Sequence, residues 1–152
     1  MSLPLLLDTN ILSKIVHPTL DEHEPIVFQI RRLLRDPHFR IYIPEIVDYE
    51  LRRKLLHLGY RKHQGRKWAR EAIANLDELT SLGYLPLTTE TMRLAASLWA
   101  RTRSEGQLRG SEESLDADVI LAAQAQQSEG QIVTSNERHF RNLADLFDWR
   151  SY

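Results

Sequence analysis

Short apolar runs and helical periodicities alternate along this chain. Residues 3–7 form an apolar run that ends at Asp8, which is typical of a strand buried on both faces. We expect Pro4 to be the first residue of that strand, because proline cannot donate to a sheet ladder. Further short strands are predicted at 40–43, 84–87 and 131–134, with a candidate edge strand at 147–149.

Helical patterns fill the intervals between these strands. The first three helices are predicted at 11–16, from Pro25 to the residue before Asp36, and from Pro44 to a stop at Gly59. A fourth helix carries the apolar positions 68, 72, 76 and 79, and a fifth begins after a cap at 88 or 89. The last two helices are predicted at 115–127 and 137–143. In the helix after position 89, the predicted apolar stripe consists of Met92, Ala95, Ala96 and Trp99. Residues 104–114 are predicted to form a loop inside the domain.

Strands separated by helices favour a parallel sheet with helices on both faces. The expected fold is therefore a three-layer α/β/α sandwich around a central parallel sheet of four to five strands. With 152 residues, the chain is expected to form a single domain spanning 1–152. Ligands of such sheets bind beyond the carboxyl ends of the strands, so Asp8 and the triplet Thr134-Ser135-Asn136 are candidate site positions.

Composition excludes several classes of protein. The chain has no cysteine, which excludes a disulfide scaffold, a thiolate metal site and a cysteine nucleophile. No apolar run approaches the roughly 18 residues of a membrane span. The N-terminal apolar run is short and has no positively charged leader, so no secretion signal is expected. A cytoplasmic protein without a membrane partner is the expectation.

Basic charge is concentrated in one segment. Residues 51–70 hold eight Lys and Arg residues and no acid, whereas the net charge of the whole chain is −1. A basic block on an acidic body can attract and steer a polyanion such as a nucleic acid. The same block is equally consistent with the solvated faces of two helices, and the sequence leaves both interpretations open.

Three acidic residues fit either a site or an ordinary structural role. Asp8 follows the first strand, where it can point into the crevice or cap the next helix. Glu50 borders the buried stripe of its helix, but it can also pair with Lys54 one turn later. Asp118 borders the apolar stripe of the helix at 115–127, whereas Asp116 lies about 200° away and better fits a first-turn charge.

Oxygen donors of this kind suit hard cations. Carboxylates and amide oxygens are preferred by Mg²⁺ and Mn²⁺, which can activate water and stabilise a leaving oxygen. Two carboxylates about 4 Å apart repel by roughly 4 kcal/mol at an effective dielectric of about 20. A cluster of acids is therefore expected mainly where a cation or a proton relieves it.

Four segments together resemble a known family. LLLDTNIL, YELRRKL, LDADVILAAQA and IVTSNERHF occur in the order found in PIN domains, and the chain resembles the VapC-like ribonuclease toxins of bacterial toxin–antitoxin pairs. The resemblance implies Mg²⁺- or Mn²⁺-dependent hydrolysis of RNA phosphodiester bonds. The acids of the family fall on Asp8, Glu50 and Asp118. Asn136 and His139 stand where members carry further acids, which favours one bound ion over two.

The resemblance also implies roles for individual residues. Asp8 and Asp118 would bind the ion, and Glu50 would ligate it or act as general base. Thr9 and Asn136 would support the water shell or the scissile phosphate, and Asp116 is a candidate to replace the missing acid. The basic block would bind single-stranded RNA, and the contacts with flanking phosphates are assigned to Arg52, Arg53, Arg61, Lys62 and Arg66. The expected protein partners are an antitoxin and a second copy of the chain.

Two other functions are compatible with parts of this pattern. A receiver-like signalling domain needs a second acid beside Asp8 and a lysine near 147–149, and the sequence has neither. A catalytically inactive nucleic-acid-binding module remains open, because the basic block alone would explain binding and the acids would then only cap helices. Loss of cleavage in Asp8→Asn with RNA binding retained would distinguish the enzyme from the binding module.

Overall fold

The computed structural model describes residues 1–61, 65–106 and 112–152. Residues 107–111 of the predicted loop at 104–114 lie outside these ranges. The loop prediction was wrong at its two ends, because Ser104 is the last residue of one helix and residues 112–114 begin the next. Strands and helices follow one another in the order β1 (Leu3–Leu7), α1 (Thr9–Ile15), α2 (Pro25–Arg35), β2 (Phe39–Pro44), α3 (Glu45–Arg61), α4 (Gly65–Thr80), β3 (Tyr84–Leu85), α5 (Thr89–Ser104), α6 (Glu112–Gln127) and β4 (Gln131–Val133), with a 3-10 helix at Glu137–Phe140. No helix within the described ranges is long and apolar enough to cross a bilayer.

The four strands form a parallel sheet in the order β3-β2-β1-β4. The predicted α/β class with a central parallel sheet is therefore confirmed. The predicted edge strand at 147–149 is not formed as such, because the contact with β4 is a single parallel bridge between Ile132 and Leu146. All four strands end at the same edge of the sheet, so Asp8 at the end of β1 lies beside the residues that follow β4.

Pro4 occupies the second position of a central strand, not its first residue. The N–H of Leu3 donates to the His38 carbonyl on the β2 side, so position 4 faces the β4 side of the strand. Pairing with β4 begins only at Leu5, opposite Gln131, and the missing proline N–H therefore interrupts no ladder. A Cβ at Gly130 would lie 2.8 Å from the Pro4 carbonyl oxygen, so glycine is needed where the chain passes β1 to enter β4.

The core forms around β1, whose residues Leu5, Leu6 and Leu7 are at most 2% exposed. The helix predicted to stop at Gly59 continues to Arg61, because Gly59 lies in its interior beside Ala69 of α4. The predicted stripe of α5 was also wrong in part. Met92 and Ala96 are exposed, and the buried face consists of Thr91, Ala95, Leu98 and Thr102.

Candidate active site

Asp8 connects the central strand to the helix that follows it. Its N–H donates to the Val133 carbonyl at 3.0 Å, which fixes the backbone to β4. Its Oδ1 accepts the Thr9 N–H at 2.7 Å as the N-cap of α1, and its Oδ2 accepts the Thr134 hydroxyl at 2.7 Å. The side chain therefore caps a helix and also faces the edge of the sheet. Burial raises the pKa of Asp8, although both hydrogen bonds act in the opposite direction.

Glu50 reaches the same place from α3. Its Oε1 accepts the Thr9 hydroxyl at 2.9 Å, so a residue directly after Asp8 joins the two carboxylates. The ion pair with Lys54 that the spacing allowed is not formed in the described part of the chain. The neighbouring pair is formed, with Arg52 Nη2 lying 2.9 Å from Asp48 Oδ1. Glu50 thus faces the sheet edge, while Asp48 bonds to Arg52 of the same helix and to Tyr84 of β3.

Asp118 is the third acid at this edge of the sheet, and it completes the acidic pocket formed by Asp8, Glu50 and Asp118. Its side chain on α6 is 16% exposed, and its Oδ2 lies 3.2 Å from His139 Nδ1. Burial raises its pKa to about 7, with further increases caused by the negative charges of Asp8 and Glu50. These electrostatic effects require the three acids to lie close together, although they are far apart in the sequence.

Asp116 does not join this cluster. It is exposed and lines the groove between α5 and α6 together with Met92, Trp99 and Ile120. The separation of about 200° between positions 116 and 118 accounts for this difference. Asn136 has an exposed side chain, and it enters the site through its backbone N–H, which donates to the Thr134 hydroxyl at 2.9 Å.

The donor chemistry of the pocket fits a hard divalent cation. All three acids offer oxygen, and their mutual repulsion is relieved most directly by positive charge. Within residues 1–61, 65–106 and 112–152, no group of three or more His, Asp or Glu side chains is arranged so that it could hold a metal ion. A Mg²⁺ ion in a protein is commonly bound by one or two carboxylates, and water completes its octahedron. Asp8 and Asp118 are the residues that fit this role.

A comparison with family models identifies the family. The model described as the PIN domain matches residues 5–146. The chain belongs to the PIN domain family.

The fold of this PIN domain is similar to several solved structures. FitAcB from Neisseria gonorrhoeae gives a TM-score of 0.72 at 22% identity, covering 97% of this chain and 99% of that chain. DNA-bound VapBC from Salmonella typhimurium gives 0.70 at 19% identity, covering 97% and 98%. VapBC2 from Rickettsia felis, bound to a DNA fragment from its promoter, gives 0.68 at 19% identity, covering 95% and 96%. A comparison with curated proteins gave no significant match. The predicted membership of the PIN domain family is confirmed, and the fold is similar to those of the VapBC and FitAcB structures.

The sequence did not reveal Thr134 as a central residue of the PIN domain site. Thr134 is 2% exposed, its hydroxyl donates to Asp8, and its carbonyl accepts the Trp149 indole N–H at 3.0 Å. The triplet after β4 was a predicted site position, but Asn136 was favoured within it. Thr134 could have been predicted from the pairing of β1 with β4, because this pairing places the first residue after β4 beside Asp8.

The basic residues that were predicted to bind RNA differ in their exposure and in whether an acidic side chain already pairs with them. Arg52 lies between Asp48 and Asp77, at 2.9 and 2.8 Å, so its charge is already balanced. Arg53 is exposed, with its guanidinium 5.0 Å from the centre of the Tyr49 ring. Arg61 and Arg66 are also exposed, and Arg66 donates to the Gly59 carbonyl at 3.3 Å. Lys62 lies outside the described residues.

Proposed function

We propose that this PIN domain is a Mg²⁺- or Mn²⁺-dependent endoribonuclease and the toxin of a type II toxin–antitoxin pair. The proposal is supported by the proximity of Asp8, Glu50 and Asp118 at the carboxyl edge of the sheet, where Thr9 bonds to Glu50 and the charges of Asp8 and Glu50 act on Asp118. An acid whose pKa rises to about 7 through burial and its acidic neighbours is costly to keep ionised. Such a cost is characteristic of a site that receives a cation.

The residues of the pocket divide the chemistry between them. A divalent cation held by Asp8 and Asp118 would supply charge neutralisation and a more acidic water. Glu50 has one oxygen bonded to Thr9, and its other oxygen can accept the proton of an attacking water. Thr134 and the Thr9 N–H keep the Asp8 carboxylate in one orientation, which lowers the entropy cost of binding. The exposed Asn136 amide can donate to a phosphate oxygen.

The proposed RNA path runs from the pocket along α3 and α4. The exposed residues Arg53, Arg61 and Arg66 are the contacts that we assign to phosphates, while Arg52 is engaged by two carboxylates. Single-stranded RNA is the proposed substrate form, because its backbone can bend into a pocket and its bases are accessible. Contacts with phosphates make binding fall steeply as salt increases.

The proposed antitoxin has a suitable surface on the same two helices. A groove of about 550 Å³ between α3 and α4 has an apolar floor that includes Leu55, Ala69 and Ile73. Tyr60 is 84% exposed at this groove, and Arg66 and Arg70 supply positive charge beside it. A partner segment with apolar anchors and acidic residues is complementary to this surface. The names VapBC and FitAcB of the similar structures support a partner of this kind. A homodimer belongs to the same proposal.

Removal of the divalent cation is the direct test of the proposed reaction. The full chain is expected to cleave a single-stranded RNA oligomer in Mg²⁺ or Mn²⁺ and to lose that activity in EDTA. Activity should return when the cation is restored, because the acids of the folded protein remain in place. The measurement is the rate of product formation on a denaturing gel, with a DNA oligomer of the same sequence as the control. RNA binding without cleavage in any cation would instead identify an inactive binding module.

Tyr60→Glu is expected to weaken binding of the antitoxin by more than tenfold. The change places a negative charge beside an apolar groove that would be covered, and loss of an aromatic anchor commonly costs about 2 kcal/mol. The partner to use is the product of a small reading frame beside the gene, and affinity is measured by calorimetry. Tyr84→Phe is a matched control on an exposed tyrosine outside the groove. Equal affinities for wild type and Tyr60→Glu would contradict the assignment of this groove.

A further inference from the structure

His139 contacts the carboxylate cluster but is not one of its acids. Its Nδ1 lies 3.2 Å from Asp118 Oδ2. The imidazole is 40% exposed, so it contributes little to the hydrophobic core. Its contacts therefore concern the pocket more than the stability of the fold.

The backbone around His139 is held firmly. The preceding turn is closed by the His139 N–H, which donates to the Asn136 carbonyl at 3.1 Å. The next residue, Phe140, is fully buried, and its carbonyl accepts the N–H of Leu143 at 2.9 Å. The imidazole therefore extends from an anchored segment and can hold a neighbouring side chain in place.

Asp118 needs such a restraint. The two acids nearest to it in the pocket are both negatively charged when ionised, and their repulsion favours a turn of the Asp118 carboxylate away from them. The contact between His139 Nδ1 and Asp118 Oδ2, which are 3.2 Å apart, opposes that turn.

We propose that His139 is a positioning residue that holds Asp118 toward the pocket and thereby raises its affinity for a divalent cation. This inference rests on the proposed function, since it assumes that Asp118 binds the ion. His139 acts through Asp118 and not as a ligand. Residues that orient metal ligands in this way commonly change metal affinity by about 10- to 100-fold when they are removed.

The test is calorimetric titration of the full chain with Mn²⁺ in the absence of RNA. His139→Ala is expected to bind Mn²⁺ about 10- to 100-fold more weakly than wild type. His139→Asn is expected to retain most of the affinity, because its amide N–H is a polar group that can take the place of Nδ1 beside the Asp118 carboxylate. His38→Ala is the matched control, since His38 Nδ1 contacts Asp36 Oδ1 at 2.8 Å on an exposed surface. Thermal unfolding of each variant by circular dichroism verifies that all of them fold.

Each result bears on the proposal. Weak binding in His139→Ala with rescue in His139→Asn supports the positioning role, which a purely structural role would not produce. Equal or tighter binding in His139→Ala would overturn it and would show that the imidazole competes with the cation. Asp118→Asn should abolish the same heat signal and so assign it to this pocket. If wild type itself does not bind Mn²⁺, the proposed metal-dependent function fails, and the inference about His139 fails with it.

Discussion

Asp8→Asn is expected to lower the rate of Mg²⁺-dependent RNA cleavage by about 10²- to 10³-fold, because the pocket loses a charged ligand that positions the cation. The fold should survive the change. Asparagine is as good an N-cap as aspartate, so its oxygen can still accept the Thr9 N–H. Its amide N–H can donate to the Thr134 hydroxyl in place of the bond that Asp8 accepts. The rate is measured under single-turnover conditions with RNA in the presence of saturating Mg²⁺.

RNA binding distinguishes a catalytic defect from misfolding in this variant. Affinity should be unchanged or higher, since the removed negative charge repels phosphate in the wild type. Fluorescence anisotropy with a labelled RNA oligomer measures it in EDTA, where no cleavage occurs. An Asp8→Asn protein that cleaves RNA at the wild-type rate would remove Asp8 from the proposed mechanism.

Asp118→Asn is expected to stabilise the metal-free protein at about pH 8 by about 2 kcal/mol, which corresponds to a rise in Tm of about 5 °C. Burial and the two neighbouring acids raise the Asp118 pKa from 3.8 to about 7. The folded state therefore holds this proton over a range in which the unfolded state has lost it. The stability associated with Asp118 is fully present below about pH 4 and is lost as the pH rises through 7. A fully buried side chain would give a larger change in the free energy of unfolding, and the partial exposure of Asp118 reduces that change.

Urea unfolding in EDTA at about pH 4 and about pH 8 measures this effect. The difference between Asp118→Asn and wild type should be small at the lower pH, where Asp118 is protonated, and large at the higher pH. Asp116→Asn is the matched control, because this exposed acid on the same helix lies outside the pocket. If the difference in the free energy of unfolding between Asp118→Asn and wild type is the same at both values of pH, ionisation of Asp118 does not destabilise the folded state.

The sequence predicted the sheet edge and its acids for physical reasons. Alternating strand and helix patterns require parallel strands, and parallel strands bring all their carboxyl ends to one edge. That rule is sufficient to place Asp8 beside the segment after β4. It does not give the register between strands, which makes Thr134 the residue that contacts Asp8. The structure brings the three predicted acids together, and their catalytic roles remain proposals.

Other features depended on contacts that periodicity does not reveal. The buried face of α5 includes Thr91 and Thr102, whose hydroxyls are satisfied by hydrogen bonds to Gln127 and to the Leu98 carbonyl. An apolar-stripe rule therefore selected the wrong neighbours, Met92 and Ala96. The sequence placed His139 only where members of the family carry an acid, and its contact with Asp118 depends on the turn after β4. Local pattern identifies which elements form, whereas pairing partners distant in sequence determine which side chains meet.

The hydrogen bond between the Trp149 indole and the Thr134 carbonyl gives the molecule an internal optical reporter. Trp149 is 9% exposed and contacts the residue that orients Asp8, so a shift in the pocket reaches a chromophore directly. The chain has two other tryptophans, Trp68 and Trp99, and both are only partly buried. Replacing those two by phenylalanine would leave one tryptophan, whose fluorescence spectrum reports ligand binding without an attached dye.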